Sequence, residues 1–235
     1  MDRKPSSSLV MVGTVHRDPK GFGRLLRILE IEAPDFITVE ISPYAREFRA
    51  KRASDLRALL RENLKKIQME KGWSYRDLLS HGEIQGIFLL LKVPFEWRAS
   101  EVYAQRRQIK LSAIDLSAYS EEKLVHISER IDLENLQALL GSPKPPIDDQ
   151  VDLQYKRARA LWNYPPATGS IIPEETQERE AYMAGEIHRL MEENRKGKIL
   201  HVGGWEHLVE ARHGNSLLAR LEDLQPRRIL LEDNI

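Results

Sequence analysis

Gly-x-x-His stands at the end of two strand-like runs in this sequence, at Gly13–His16 and at Gly204–His207. Each copy closes a short apolar run, and a carboxylate, Glu40, closes a third run of the same kind. Two imidazoles and one carboxylate form a ligand set that leaves positions open for water and substrate on a bound metal ion. Manganese, cobalt or zinc held by His16, Glu40 and His207 would lower the pKa of a bound water and generate a hydroxide nucleophile. The same trio also supports chemistry without metal. His16 would take a proton from water while Glu40 orients the imidazole.

Two arginines belong to the same set of candidates. Arg46 falls one turn into the helix expected after Glu40, and Arg179 lies in Glu178-Arg179-Glu180 at the start of a later helix. Either could hold a substrate carboxylate or an oxyanion. Asp115 ends a further strand-like run. Plainer readings exist for each. Glu40 could pair with Arg46, Asp115 could form a turn, and Arg179 could be a solvated helix start. His201 lies inside a strand and reads as packing, whereas His81, His126, His188 and His213 read as ordinary helix or loop residues.

The elements that must position these residues are visible as periodic patterns. Runs rich in β-branched residues predict strands over residues 8–15, 35–41, 110–115, 198–203 and 228–231. Their nearly continuous apolar character suits a sheet covered on both faces. Helical patterns alternate with them. Asp18 with Pro19 and Ser42 with Pro43 are helix starts. Leu56, Leu59, Leu60, Leu64 and Ile67 form one stripe, and Met183, Ile187, Leu190 and Met191 another. A helix is expected from Ser120 to Gly141. The fold expected is α/β, with a mainly parallel central sheet flanked by helices and a helical subregion overhanging the strand carboxyl ends. One domain over residues 1–235 is expected, with helical insertions at about 43–109 and 116–197. The Pro-rich stretch 142–173 is expected to be a mobile loop containing one helix, residues 150–162. In such sheets ligands bind beyond the strand carboxyl ends, where the candidate residues fall.

Composition narrows the function classes. Lys+Arg and Asp+Glu both number 36, so nothing in the net charge draws the chain to nucleic acid. There is no cysteine, which excludes disulfides, thiolate metal sites and a cysteine nucleophile. No apolar run approaches membrane length, and a cytoplasmic location is expected.

In order along the chain, the motifs resemble the TraB/PrgY/GumN and Tiki family. GTVHRDP is similar to that family's opening Gly-Thr-x-His, and PDFITVEISPYAR resembles the segment that carries Glu40 and Arg46. EWRASEVYAQRRQIKLSAID resembles the segment that carries Glu96 and Asp115. EREAYMAGEI resembles the helix with Arg179, and KILHVGGWEHL the closing strand with His207. The resemblance implies a metal-dependent peptidase that uses the paired Gly-x-x-His motifs and a Glu, as in the Tiki branch. Glu96 and Asp115 would contact substrate. The wider superfamily includes erythromycin esterases, which act through a similar trio without metal, and ChaN-like haem-binding proteins. Many family members carry membrane helices toward their C-terminus, and no run here is long enough for one.

The expectation is thus a hydrolase of a peptide or small-molecule substrate, with a metal-dependent peptidase as the leading form. A metal-independent esterase-like hydrolase is one alternative. A non-catalytic protein that binds a peptide or haem is the other.

Overall fold

The structure is a computed structural model that describes residues 9–142, 144–163, 174–194, 197–209 and 216–233. Five strands form one all-parallel sheet: β1 (Leu9–Thr14), β2 (Phe36–Val39), β3 (Lys110–Ala113), β4 (Ile199–Gly204) and β5 (Arg227–Leu230), in the order β3-β2-β4-β1-β5. Helices α1 (Gly21–Glu32), α2 (Pro43–Lys71), α3 (Tyr75–Ser80), α4 (Gly82–Leu90) and α5 (Phe95–Arg107) precede β3. Helices α6 (Ser117–Val125), α7 (Leu133–Leu140), α8 (Ile147–Asn163) and α9 (Glu174–Glu193) separate β3 from β4, and α10 (Leu217–Arg220) precedes β5. The α/β architecture with a parallel sheet flanked by helices is the one the alternation of patterns predicts.

The two-residue period of β1 distributes its side chains between two layers. Val10 and Val12 join the core containing Leu25, Ile28 and Leu29 of α1 and Ala99 and Tyr103 of α5. Leu9 and Met11 face the other way, toward Met183, Ile187 and Leu190 of α9 and Leu217 of α10. Both faces are therefore buried, and β1 and β4 are buried at every position. The edge strand β3 is different: Lys110 is exposed and the rest only partly covered.

The long helix α2 starts where Ser42 caps it, its hydroxyl accepting from the Ala45 N–H at 3.0 Å. Leu56, Leu60, Leu64 and Ile67 are buried at intervals of about one turn, while Leu59 is rotated out and 37% exposed. This helix packs on α3, α6 and α7, away from the sheet. Leu89 and Leu90 at the end of α4, with Lys92, Val93 and Pro94 of the α4–α5 connection, wall the space beyond the strand ends, the place where overhanging helices are expected.

Three helix boundaries differ from the sequence reading. The first helix begins at Gly21, and Asp18 serves the loop before it. Its carboxylate accepts from Lys20 N at 2.8 Å, from Arg24 Nη1 at 3.0 Å and from the Tyr155 hydroxyl at 3.1 Å. The single helix expected over 120–141 is two, α6 and α7. Ile127 and Ile131 turn into the core between them, and Asp132 caps the restart by accepting from Asn135 N at 2.8 Å. In the Pro-rich stretch the helix begins at Ile147, whose N–H donates to Gln85 Oε1 at 3.0 Å. Pro143 and residues 164–173 lie outside the described residues, and the expectation of a mobile loop falls largely on them.

Candidate active site

Register brings the two Gly-x-x-His motifs to one rim. Gly13 pairs with Gly203 and Thr14 with Gly204, so His16 and His207 both follow the ends of adjacent parallel strands. On the other side of β4, Val39 pairs with Val202, and the Glu40 N–H donates to Val202 O at 2.8 Å. Gly203 and Gly204 permit the close approach that results. A Cβ on Gly203 would lie 2.9 Å from His201 Nε2 and 3.0 Å from Glu40 Oε2. One on Gly204 would lie 3.0 Å from His16 Nε2.

Glu40 is the hub. Its Oε2 accepts from Gly204 N at 2.7 Å, and its Oε1 receives both His207 Nε2 at 2.8 Å and Arg179 Nη2 at 3.0 Å. Burial alone would raise its pKa. The His207 charge and hydrogen bond, followed by the His16 and Arg179 charges, outweigh that and hold the carboxyl well below its ordinary range. Arg179 reaches the hub from α9 and also grips Asp115, with Nε to Oδ1 at 2.9 Å and Nη2 to Oδ2 at 2.8 Å. Its guanidinium carbon sits 4.3 Å from the Tyr119 ring centre. Burial opposes its charge, but the Asp115 bonds and the Glu40 charge raise its pKa above the usual guanidinium value.

His207 is buried and uses both ring nitrogens: Nε2 meets Glu40 and Nδ1 meets Glu180. Burial disfavours the imidazolium, yet the Glu40 charge and the Glu180 bond raise the pKa well above the ordinary histidine value. The ring is thus a cation clamped between two carboxylates. His16 is arranged differently. Its Nδ1 lies 2.9 Å from Glu96 Oε1, which also accepts from the Thr14 hydroxyl at 3.0 Å. Its Nε2 makes no hydrogen bond among the described residues, and 55% of its side chain is open to solvent. Desolvation of the ring lowers its pKa, but Glu96 and then Glu40 raise it further, to about 9. Water at the open half of the ring screens that pull.

His16, Glu40, Glu96, Asp115 and Arg179 line a cleft of about 310 Å³. His207 does not line it and instead backs Glu40 from the protein interior. Arg46 joins neither group. It is exposed on α2, with its guanidinium carbon 4.9 Å from the Trp97 ring centre. On α2, Ala45 turns toward the cleft, and the adjacent position is rotated about 100° from it. Arg49, one turn beyond Ala45, lines the cleft, with its Nε donating to Leu90 O at 3.0 Å.

Three contributors escape the sequence reading. Glu180 sits beside Arg179 in the Glu-Arg-Glu cluster, but its partner His207 is 27 residues away. Thr14 lies inside the first motif and holds Glu96. His201, read as packing, is buried with Nδ1 3.0 Å from the Thr38 hydroxyl and no partner for Nε2. Burial and the His207 charge, opposed by Glu40, push its pKa down to about 4, so it is neutral beside the charged cluster.

The donor set differs from what the expected metal requires. Among the described residues, no group of three or more His, Cys, Asp or Glu side chains is spaced to hold an ion. His207 Nε2, one of the expected donors, is engaged with Glu40, and Arg179 already supplies a cation to that carboxylate. The arrangement as it stands therefore fits a hydrogen-bonded acid–base cluster and does not fit the His16/Glu40/His207 metal shell.

No family model matches this chain, and no curated protein matches it. A structural match is to a mutant of the erythromycin esterase EreC in its open conformation. Identity is 16%, the TM-score is 0.39, and the alignment covers 95% of this chain and 70% of that one. Among the described residues, no helix is long and apolar enough to cross a membrane.

Proposed function

We propose that this protein is a hydrolase that cleaves an acyl bond, an ester in the first instance, by acid–base chemistry centred on His16. The supporting observation is the asymmetric bonding of that ring. Glu96 takes Nδ1 at 2.9 Å, while Nε2 has no hydrogen-bond partner among the described residues. A carboxylate on Nδ1 selects the neutral tautomer whose Nε2 carries the lone pair, which a general base requires. In this scheme Nε2 removes a proton from water and the water oxygen attacks the acyl carbon. The carbonyl oxygen becomes an oxyanion near Arg179, whose orientation Asp115 and Glu40 already hold. Collapse expels the alcohol, which leaves with the proton from Nε2. The raised pKa of His16 means that the base form grows as pH rises toward about 9.

The peptidase reading with manganese, cobalt or zinc would require His207 to release Glu40 before it could serve as a ligand. A panel of p-nitrophenyl esters and chromogenic peptides, assayed with and without a chelator, separates the two. Ester turnover that survives chelation and falls at least ~100-fold in His16→Asn is expected. Turnover that needs added divalent metal, or none on any ester, would overturn the proposal.

A further inference from the structure

Beside the active-site cleft lies a second and larger chamber of about 1050 Å³, bounded by α4, α6, the 3-10 turn Glu129–Ile131 and α7. The two spaces share Arg17 and Leu90 as lining residues, so they adjoin at the residue that follows His16. Arg17 is held there against its own backbone preference. Its φ is 69°, in the left-handed region that a residue other than glycine adopts only when its surroundings impose it. The surroundings are the Asp18 anchor one residue on, bound to Lys20 N, Arg24 and the buried Tyr155 hydroxyl.

The opposing wall accommodates this side chain. Gly86 lies in the interior of α4, where glycine is unfavourable, and a Cβ there would come within 2.6 Å of Arg17 Nη1. The guanidinium thus passes over the bare backbone of α4. Its charge has no partner among the described residues. Arg24 is paired with Asp18, Arg49 donates to Leu90 O and Arg179 grips Asp115. Arg17 has no hydrogen bond or ion pair among the described residues and is exposed. The chamber beyond has an apolar part made by Ile87, Ile127, Ile131 and Leu139, and its cations Lys123, Arg130 and Lys144 stand among the acidic Glu83, Glu122 and Glu129. Such a space suits an aliphatic chain with a single negative charge better than a polyanion.

We infer that Arg17 is an anion-recognition residue at the junction of the two spaces, so that the substrate is an elongated acyl compound carrying a carboxylate. An aliphatic segment would lie in the second chamber, the carboxylate on Arg17, and the scissile acyl group next to His16. This substrate class rests on the hydrolase proposal, but the anion site itself can be tested without turnover. The probes are octanoate and octanamide, titrated calorimetrically into the wild-type protein and into Arg17→Met, Arg17→Lys and Gly86→Ala. Wild type is expected to bind octanoate at least tenfold more tightly than the amide. Arg17→Met should abolish that preference, and Arg17→Lys should keep part of it. Gly86→Ala retains every charge and favours the helix, yet should weaken octanoate binding by displacing the guanidinium. Thermal melts of each variant report folding. Equal binding of the two probes by wild type, binding of neither, or an undiminished preference in Arg17→Met would overturn the inference. Octanoate preference without hydrolysis of any ester would instead count against the hydrolase proposal and leave the Arg17 site standing.

Discussion

His16 and His207 end equivalent motifs on adjacent strands, yet they occupy opposite electrostatic situations. His207 is buried, charged and bonded at both ring nitrogens, between Glu40 and Glu180. His16 is half open, bonded at one nitrogen, and presents the other at the cleft. One ring is held as a buried charge, and the other is the proposed general base. The difference arises from what packs behind each motif: α9 brings Glu180 onto His207 and Arg179 onto the Glu40 that His207 also meets, whereas α5 brings Glu96 to His16. A shared motif therefore does not give a shared environment.

The largest effect should come from breaking the buried side. In His207→Ala, Glu40 and Glu180 lose the cation between them, and the loss of one partner from a buried pair costs roughly 3–5 kcal/mol. Denaturant melts should show that loss together with loss of activity. His207→Gln, which can still donate to one carboxylate, should recover part of the stability. The pH dependence has a definite sign. The folded pKa of His207 is raised, so its stabilisation is complete below about 6.5 and declines as pH rises through the folded value. Wild type should lose stability on the alkaline side, and His207→Ala should lose that dependence.

The open side should respond in activity alone. His16→Asn should lower kcat/KM by about 10²–10⁴ with an unchanged melting temperature, since a half-exposed ring contributes little core. A melting temperature that falls as far as in His207→Ala would erase the distinction between the two histidines. Next in size is the pH profile. Wild-type kcat/KM should rise toward alkaline pH with an inflection above the ordinary histidine value, because Glu96 stabilises the imidazolium. Glu96→Gln removes that charge and should move the inflection down, by about one unit. An inflection that does not move would show that Glu96 has no electrostatic hold on His16. The smallest effect is expected for Thr14→Val, which deletes one hydrogen bond to Glu96. That should cost about 1 kcal/mol in stability and a few-fold in activity.

What can be read from the sequence follows from physical range. Strand and helix periods are local properties of the chain, so the five strands and the rim that gathers His16 and Glu40 are visible in their spacing. The roles of charged residues depend on contacts across long sequence separations, and these are not. Arg46 and Arg179 are equal candidates by position, but one helical rotation leaves Arg46 on Trp97, while Arg179 meets Asp115 across 64 residues. Glu96 stands out only by a motif resemblance, and nothing in its neighbourhood announces a partner 80 residues away. Glu180 looks like solvated helix surface because helix starts are acidic so often. The break between α6 and α7 is hidden because the apolar residues Ile127 and Ile131 do not interrupt a helical pattern; only their packing does.

The two outer strands of the sheet present cations to solvent: Lys110 opens β3, and Arg227, paired with Glu32, opens β5. An uncovered strand edge is a template for another chain, and a charged side chain on it is a barrier to intermolecular strand pairing. Short edges of four residues each, with that charge at their entrance, leave little backbone for a neighbour to add to. This parallel sheet, slow to assemble because its partners are distant in sequence, is thereby guarded against fibrous self-association during the interval before its helices close over it.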